Sequence, residues 1–376
     1  MVNLTRSTLI ITLNIFLTFF IPECALADTP ADAAAMIKEL GLRQSRLPSR
    51  DMPGWSKPKT ILVVGATPMI IADLTPVAGD AKIIGVPDYF PRSLPVKDAD
   101  VVMGLCTPIL MQVVRHARWL QAFSAGVESC IQSPAVKANP HLIITNNKGI
   151  ASPSLAEHAI TMVMMLERRM ELFVENQVQG KWDWGAVPRG TVRELKGRTL
   201  LVVGLGGIGT QVALRAHALG MKVIATRNSS RKGPDYVEYV GLPDELLKLT
   251  ARADYVVNAL PLTPETTGLF DAGFFRTMKK DAFFVTVGRG RSVVTDDLVA
   301  ALRAGELAGA GLDVTDPEPL PADHPLWKMK NVIITPHTGG ITAEAGERRI
   351  VLLRENLRRY VNGEPLLNLV DIKKGY

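Results

Sequence analysis

The chain is poor in the residues on which several large function classes depend. Its 376 residues include 3 cysteines and 6 histidines. None of them fall at metal-ligand spacing, so no metal is expected. Aromatic residues make up only 6%, and no basic run is interleaved with them, which argues against a nucleic-acid partner. There is no G-x-S-x-G elbow to present a serine nucleophile. No apolar stretch reaches the roughly 20 residues that span a bilayer. No internal repeat or low-complexity segment occurs, and the 47% hydrophobic to 21% charged balance excludes a disordered chain. The net charge of +6 suits anionic ligands, or is simply a solvated basic surface.

What is present begins with an address. Arg6 precedes an apolar run from Leu9 to Ile21, and Ala25-Leu26-Ala27 then offers a small-residue cleavage site before Asp28. This is the layout of a signal peptide over residues 1–27, too short to span a membrane. Export to a periplasmic or secreted location is expected, without stable membrane insertion after processing. A cytoplasmic chain or an uncleaved N-terminal anchor is the alternative. Two cysteines, Cys106 and Cys130, would remain, as buried thiols or as a pair.

Residues 28–56 read as an N-terminal extension with one helix, Ala31 to Leu42. From Thr60 onward, short apolar runs alternate with helical segments, which implies βαβ units and parallel sheets. A first series covers 57–152. A long helix is expected from an N-cap at Ser154 to about Val178. A second series, within 153–339, begins at Thr199–Val203 and ends at Val332–Thr335, and 340–376 holds a last helix.

The strand Thr199–Val203 runs directly into Gly204-Leu-Gly206-Gly207-Ile208-Gly209, and a helix follows. In that context G-x-G-x-x-G is a dinucleotide fingerprint. Gly204 makes the tight turn, Gly206 admits the pyrophosphate, and Gly209 lets the helix approach the strand. Free N–H groups at the helix start face the phosphate charge. The next strand ends in Thr226-Arg227-Asn228-Ser229-Ser230-Arg231, and no Asp or Glu lies between Gly204 and Arg231. NAD users normally place an acid there for the ribose 2′-hydroxyl. Arg227, Ser229 and Arg231 instead suit a 2′-phosphate, so NADP(H) is the preferred cofactor, with NAD(H) a possibility.

Three further residues end strands or sit in loops where ligands bind in open α/β sheets. Arg289 closes Phe283–Gly288, Glu318 follows Gly311-Leu-Asp313-Val314, and His337 lies in Thr335-Pro-His337-Thr-Gly339-Gly340. An Arg, an acid and a His beside a dinucleotide suit hydride transfer to a carbonyl next to a carboxylate. These motifs, with Pro261-Leu-Thr-Pro-Glu-Thr266 and Gly288-Arg289-Gly290 in the same order, resemble the D-2-hydroxyacid dehydrogenase family over about residues 60–365. Glyoxylate/hydroxypyruvate reductases are the nearest type.

The resemblance implies a Rossmann-type nucleotide domain inserted into a smaller flavodoxin-like substrate domain, in a homodimer with the long helix as hinge and dimer arm. It implies that Gly207 and Ile208 donate to the pyrophosphate. Leu260, Pro261, Thr266, Val287, Gly288, Gly339 and Gly340 would line the cofactor, and Asp313 would hold the nicotinamide amide. Gly104, Leu105, Ala125 and Gly126 would offer N–H groups to the substrate carboxylate. Arg289 would bind a small 2-oxo acid such as glyoxylate or hydroxypyruvate and polarise its carbonyl. His337 would donate the proton, with Glu318 fixing its tautomer. Two alternatives stand beside this reading, a dinucleotide-sensing interaction protein of the same fold and an NAD-dependent enzyme for a bulkier 2-ketoacid.

Overall fold

The computed structural model describes residues 30–372. The expected signal peptide and its cleavage site lie outside the described residues. Two parallel sheets organise the chain. The first contains β1 (Thr60–Val64), β2 (Lys82–Val86), β3 (Val101–Gly104), β4 (Trp119–Ala122) and β5 (Ile143–Thr145), in the order β2-β1-β3-β4-β5. The second contains β6 (Thr199–Val203), β7 (Lys222–Thr226), β8 (Tyr239–Gly241), β9 (Tyr255–Asn258), β10 (Phe283–Thr286), β11 (Gly309–Leu312) and β12 (Val332–Ile334). Its order is β12-β11-β10-β9-β6-β7-β8. That is the doubly wound arrangement, with the topological switch between β6 and β9, where a crevice opens at the strand C-termini.

The strands are continuous Val, Ile and Leu runs because helices cover both faces, so no polar alternation is needed. Leu200, Val202, Tyr255 and Val285 pack against the Ser152–Glu167 helix on one face. Leu201, Val256, Phe274 and Phe284 fill the other. The smaller sheet is closed by a distant part of the chain, because Leu353, Leu357 and Tyr360 of the Ala343–Val361 helix pack on Ile61, Val63 and Trp119. The described part of 28–56, read as an extension, is built into that body. Met36 and Leu42 join Ile150, Leu352 and Leu367 in a small core, and Gln44 bridges Leu367.

The single long helix expected from Ser154 to Val178 is two helices, Ser152–Glu167 and Met170–Val178. Between them Arg169 turns left-handed at φ 52°, and its guanidinium bonds Glu171 Oε1 at 2.7 Å. Ser154 is not the N-cap. The helix starts two residues earlier, and the Ser154 hydroxyl instead meets Thr342 Oγ1 at 3.0 Å. Among the described residues no helix is long and apolar enough to cross a membrane.

Candidate active site

The glycine loop leaves β6 with Gly204 at φ 98°. There a side chain would strike Leu260 and the Ala259 carbonyl. The following helix runs from Gly207 to Ala218, and Gly206 at its N-cap offers no side chain to the first-turn N–H groups. Those of Gly207 and Ile208 have no intrahelical acceptor and are open to an anion. A Cβ at Gly206 would meet nothing within 4 Å, so there is room for a pyrophosphate beside the backbone. At Gly209 a Cβ would collide with the Gly204 carbonyl, which is why helix and strand can lie so close. This cradle fits a dinucleotide.

Along the same edge, Leu260 N donates to Asn258 Oδ1 at 3.0 Å, and Thr266 Oγ1 donates to the Pro261 carbonyl at 2.7 Å. Gly288 is held against the Leu260 backbone too closely for a side chain. Val287 N donates to Asn258 O. Asn258 was not expected and organises this edge. It is fully buried, and its Nδ2 bonds Thr286 Oγ1 at 3.0 Å and Ser292 Oγ at 2.9 Å. Ser292 Oγ in turn bonds the Arg289 carbonyl at 2.6 Å. A polar residue ending an apolar strand, Tyr255-Val-Val-Asn258, was the available signal.

The loop after β7 departs from expectation. Arg227 Nη1 donates to the Lys232 carbonyl at 2.9 Å and has no acidic partner among the described ion pairs. Arg231 is engaged, with Nη1 at 2.5 Å from Glu245 Oε2 and 2.9 Å from Tyr239 Oη. The absence of acids up to Arg231 therefore overstated the positive charge, because β8 brings Glu245 back to the loop. Tyr239 and the Leu242 N–H hold the Glu245 carboxyl low, at about 2. Ser229 is exposed. Arg227 and Lys232 are the cations of this loop that lie in no ion pair among the described residues.

His337 and Glu318 are brought together. Nδ1 and Oε1 lie 2.6 Å apart, which places the proton on Nδ1 toward the carboxylate and leaves Nε2 for a substrate. His337 adopts φ 55°, and its N–H bonds the Asp313 carbonyl at 2.8 Å. Asp313 has a second task beside the one expected of it. Its side chain is buried and accepts from Thr335 Oγ1 at 2.6 Å, Thr338 N at 3.0 Å and Gly339 N at 3.2 Å. Oδ1 takes most of these bonds and Oδ2 only the shared Gly339 N–H at 3.2 Å, so the carboxylate holds the His337 loop and keeps acceptor capacity on Oδ2. His158 of the Ser152–Glu167 helix joins this cluster through Thr335 Oγ1 at 2.9 Å. A side chain at Gly339 would collide with the His158 ring, and one at Gly340 would crowd Ala151.

Arg289 follows β10, with Nη1 on the Gly288 carbonyl at 3.0 Å. Across the crevice, the loop Ser124–Val127 of the smaller domain touches it, since a Cβ at Gly126 would overlap Nη2. The Ala125 and Gly126 carbonyls accept from Asn146 Nδ2 and Ser124 Oγ. Their N–H groups have no acceptor among the described bonds. Gly104 is buried against Leu110 and Val64, and its carbonyl accepts from Phe123 N at 2.9 Å. Leu105 packs at the rim of the core. Under these loops lies a polar network that was also missed, in which Gln121 accepts from Thr145 Oγ1 at 2.7 Å and Asn356 Nδ2 at 2.9 Å.

Comparison with known proteins agrees with this geometry. Residues 160–339 match the model of the D-isomer specific 2-hydroxyacid dehydrogenase, NAD binding domain. The glyoxylate reductase of Korarchaeum cryptofilum is 34% identical over 284 residues, 73% of this chain and 84% of that protein. The mouse glyoxylate reductase/hydroxypyruvate reductase is 33% identical over 251 residues, 67% of this chain and 76% of that one. A solved D-isomer specific 2-hydroxyacid dehydrogenase family protein from Aeromonas salmonicida superposes with TM-score 0.72 at 30% identity, over 84% of this chain and 100% of the other. The probable 2-hydroxyacid dehydrogenase of Rhizobium etli, solved with NADP and tartaric acid, superposes with TM-score 0.69 at 27% identity, over 85% and 100%. The chain belongs to the D-isomer specific 2-hydroxyacid dehydrogenase family and is an NAD(P)-dependent oxidoreductase.

Proposed function

We propose that the chain reduces a small 2-oxo acid, of the size of glyoxylate or hydroxypyruvate, to the D-2-hydroxy acid, and prefers NADPH to NADH. The observation that carries the reading is the His337–Glu318 pair at 2.6 Å at the same strand edge as Arg289. Arg289 binds the substrate carboxylate and polarises the carbonyl, a double task suited to a planar, permanently charged fork. A bound nicotinamide supplies the hydride. As the imidazolium, His337 delivers its Nε2 proton to the forming alkoxide and is left neutral with its proton on Nδ1, while the Glu318 carboxylate accepts from Nδ1–H and fixes the ring's orientation. Ala125 and Gly126 N–H groups add donors for the carboxylate. The relatives described above as glyoxylate reductases support the substrate class, and Arg227 supports the cofactor preference.

The test is NADPH oxidation with a panel of 2-oxo acids. Turnover that disappears in His337→Ala supports the enzyme, and cofactor binding without turnover favours a dinucleotide sensor. We also infer export, with a mature chain beginning at Asp28, because the Cys106–Cys130 disulfide suits an oxidising compartment. N-terminal sequencing of protein from its native host tests this. We infer a homodimer from the exposed Phe173, Val174, Val178, Trp182 and Trp184, a patch too apolar to face water alone. A monomer by analytical ultracentrifugation would refute it.

A further inference from the structure

Arg289 is held from both sides of the crevice. Its Nη1 bonds the Gly288 carbonyl of its own domain, while Nε lies 3.4 Å from Oε1 of Glu128 in the smaller domain. Both side chains are about one-third exposed, at 31% and 30%, so the pair sits at the cleft wall within reach of substrate. Glu128 is the first residue of the short Glu128–Gln132 helix. Cys130 of that helix is fully buried and joined to Cys106, the residue after Leu105. The disulfide thus ties the helix that carries Glu128 to the other substrate-facing loop. Gly126, two residues before Glu128, leaves just enough space for the guanidinium.

A guanidinium has five N–H donors fixed in one plane. Glu128 forms an ion pair on the Nε side, and Gly288 takes one Nη1 hydrogen. Nη2 lies at the Gly126 backbone, which Glu128 Oε2 also borders, and its hydrogen directed away from Glu128 remains for a carboxylate bound at the Ala125–Gly126 N–H groups. We propose that Glu128 is a positioning residue for Arg289. It fixes the plane of the guanidinium so that this Nη2 hydrogen and the loop N–H groups meet the same substrate carboxylate. This rests on the reading of Arg289 as the carboxylate site. Because the contact crosses the crevice, it also sets the spacing of the two domains at the point of reaction. An angstrom-scale misplacement of such a group is enough to cost one to two orders of magnitude in rate.

The experiment uses the full chain with NADP⁺ and compares wild type, Glu128→Ala, Glu128→Gln and Glu128→Asp. Calorimetric binding of oxalate, a planar dicarboxylate probe, is measured beside kcat and KM for glyoxylate. Glu128→Ala should weaken oxalate and raise KM by about tenfold, with kcat lowered less and NADP⁺ affinity unchanged. Glu128→Gln keeps an acceptor for Nε–H and should recover most of the loss. Glu128→Asp, one methylene shorter, should fall between them, and it carries the comparison if the alanine variant does not fold. An alanine variant that binds oxalate as well as wild type, or better, overturns the proposal, since Glu128 would then be idle or a competitor of the substrate. If wild type turns over no 2-oxo acid yet its oxalate binding depends on Glu128, the positioning role stands and the proposed reaction fails.

Discussion

His337 reaches Glu318 across 2.6 Å only because its backbone is left-handed, φ 55°, a conformation rare for a residue with a side chain. The Asp313 bonds to Thr338 N and Gly339 N hold the loop in that state. His337→Ala should lower kcat by about 10²–10⁴-fold, the usual range for a general acid. Asp313→Asn replaces one acceptor oxygen by a donor and should lower kcat through the loop. Steady-state kinetics with NADPH Kd measured in parallel checks both, and an unaffected kcat in His337→Ala would remove it from proton transfer.

Arg289→Lys keeps the charge and loses the fork. A drop in kcat/KM for the 2-oxo acid of about two orders of magnitude is expected, with cofactor affinity unchanged. Near-wild-type kcat/KM would show that a point charge suffices.

Cofactor choice should respond to two residues in opposite directions. Arg227→Asp should lower the NADPH preference about ten- to hundredfold, the equivalent of one charge-assisted bond to phosphate. Glu245→Gln should raise it, because Arg231 loses its ionic partner and turns to the 2′-phosphate. The Glu245 carboxyl is depressed from 4.5 to about 2, so its contribution is complete above 4.5 and fades only as pH falls toward 2. Between pH 5 and 9 the ratio of NADPH to NADH kcat/KM should change alike in wild type and Glu245→Gln, through the 2′-phosphate with its second pKa of about 6, and a step present only in wild type would contradict the pairing.

Glu167 is buried at the end of its helix and accepts from Tyr255 Oη at 2.5 Å, from Arg193 N at 2.7 Å and from Arg193 Nη2 at 3.0 Å. Removing it leaves the buried Tyr255 hydroxyl without its acceptor and Arg193 with only the exposed Asp281 carboxylate, and burial with a hydrogen-bonded carboxylate already pushes the Tyr255 phenol far above its usual range. Glu167→Ala should cost about 1–3 kcal/mol in urea or thermal unfolding, the usual cost of an orphaned buried donor. A loss under about 1 kcal/mol would mean that water takes the place of the carboxylate.

The disulfide closes a separation of 24 residues, for which chain entropy predicts about 3 kcal/mol. Reduction or Cys130→Ser should lower Tm and, through Glu128, raise KM for the 2-oxo acid. Equal thermal stability with and without reductant would show that the thiols are not paired in the native protein.

The strands and the glycine loop were legible because apolar runs and invariant turn chemistry are local properties. Arg289, Glu318 and His337 were legible as strand-end residues in a fold whose ligands bind at strand ends. What escaped were partners far apart in the chain. Glu245 reaches Arg231 only after β8 has paired with β7. Glu128 meets Arg289 only across two domains. Asn258 and Gln121 read as ordinary polar residues until burial makes every one of their bonds obligatory. The break at Arg169 carries no Gly or Pro, so periodicity ran straight through it.

The smaller sheet has a consequence for how the chain comes together. Asn146 N bonds Asn368 O, and Thr145 bridges Leu369, while the Asn356–Gln121 bond joins residues 235 apart. The nucleotide-binding half is contiguous and can close as soon as β12 is made. Its companion must wait, with part of its core open to water, for the last helix to arrive from the far side of a completed domain. In a chain folding from its N-terminus a dinucleotide site can therefore precede a substrate site, with the face of the first sheet that awaits Leu353, Leu357 and Tyr360 open to water until they arrive.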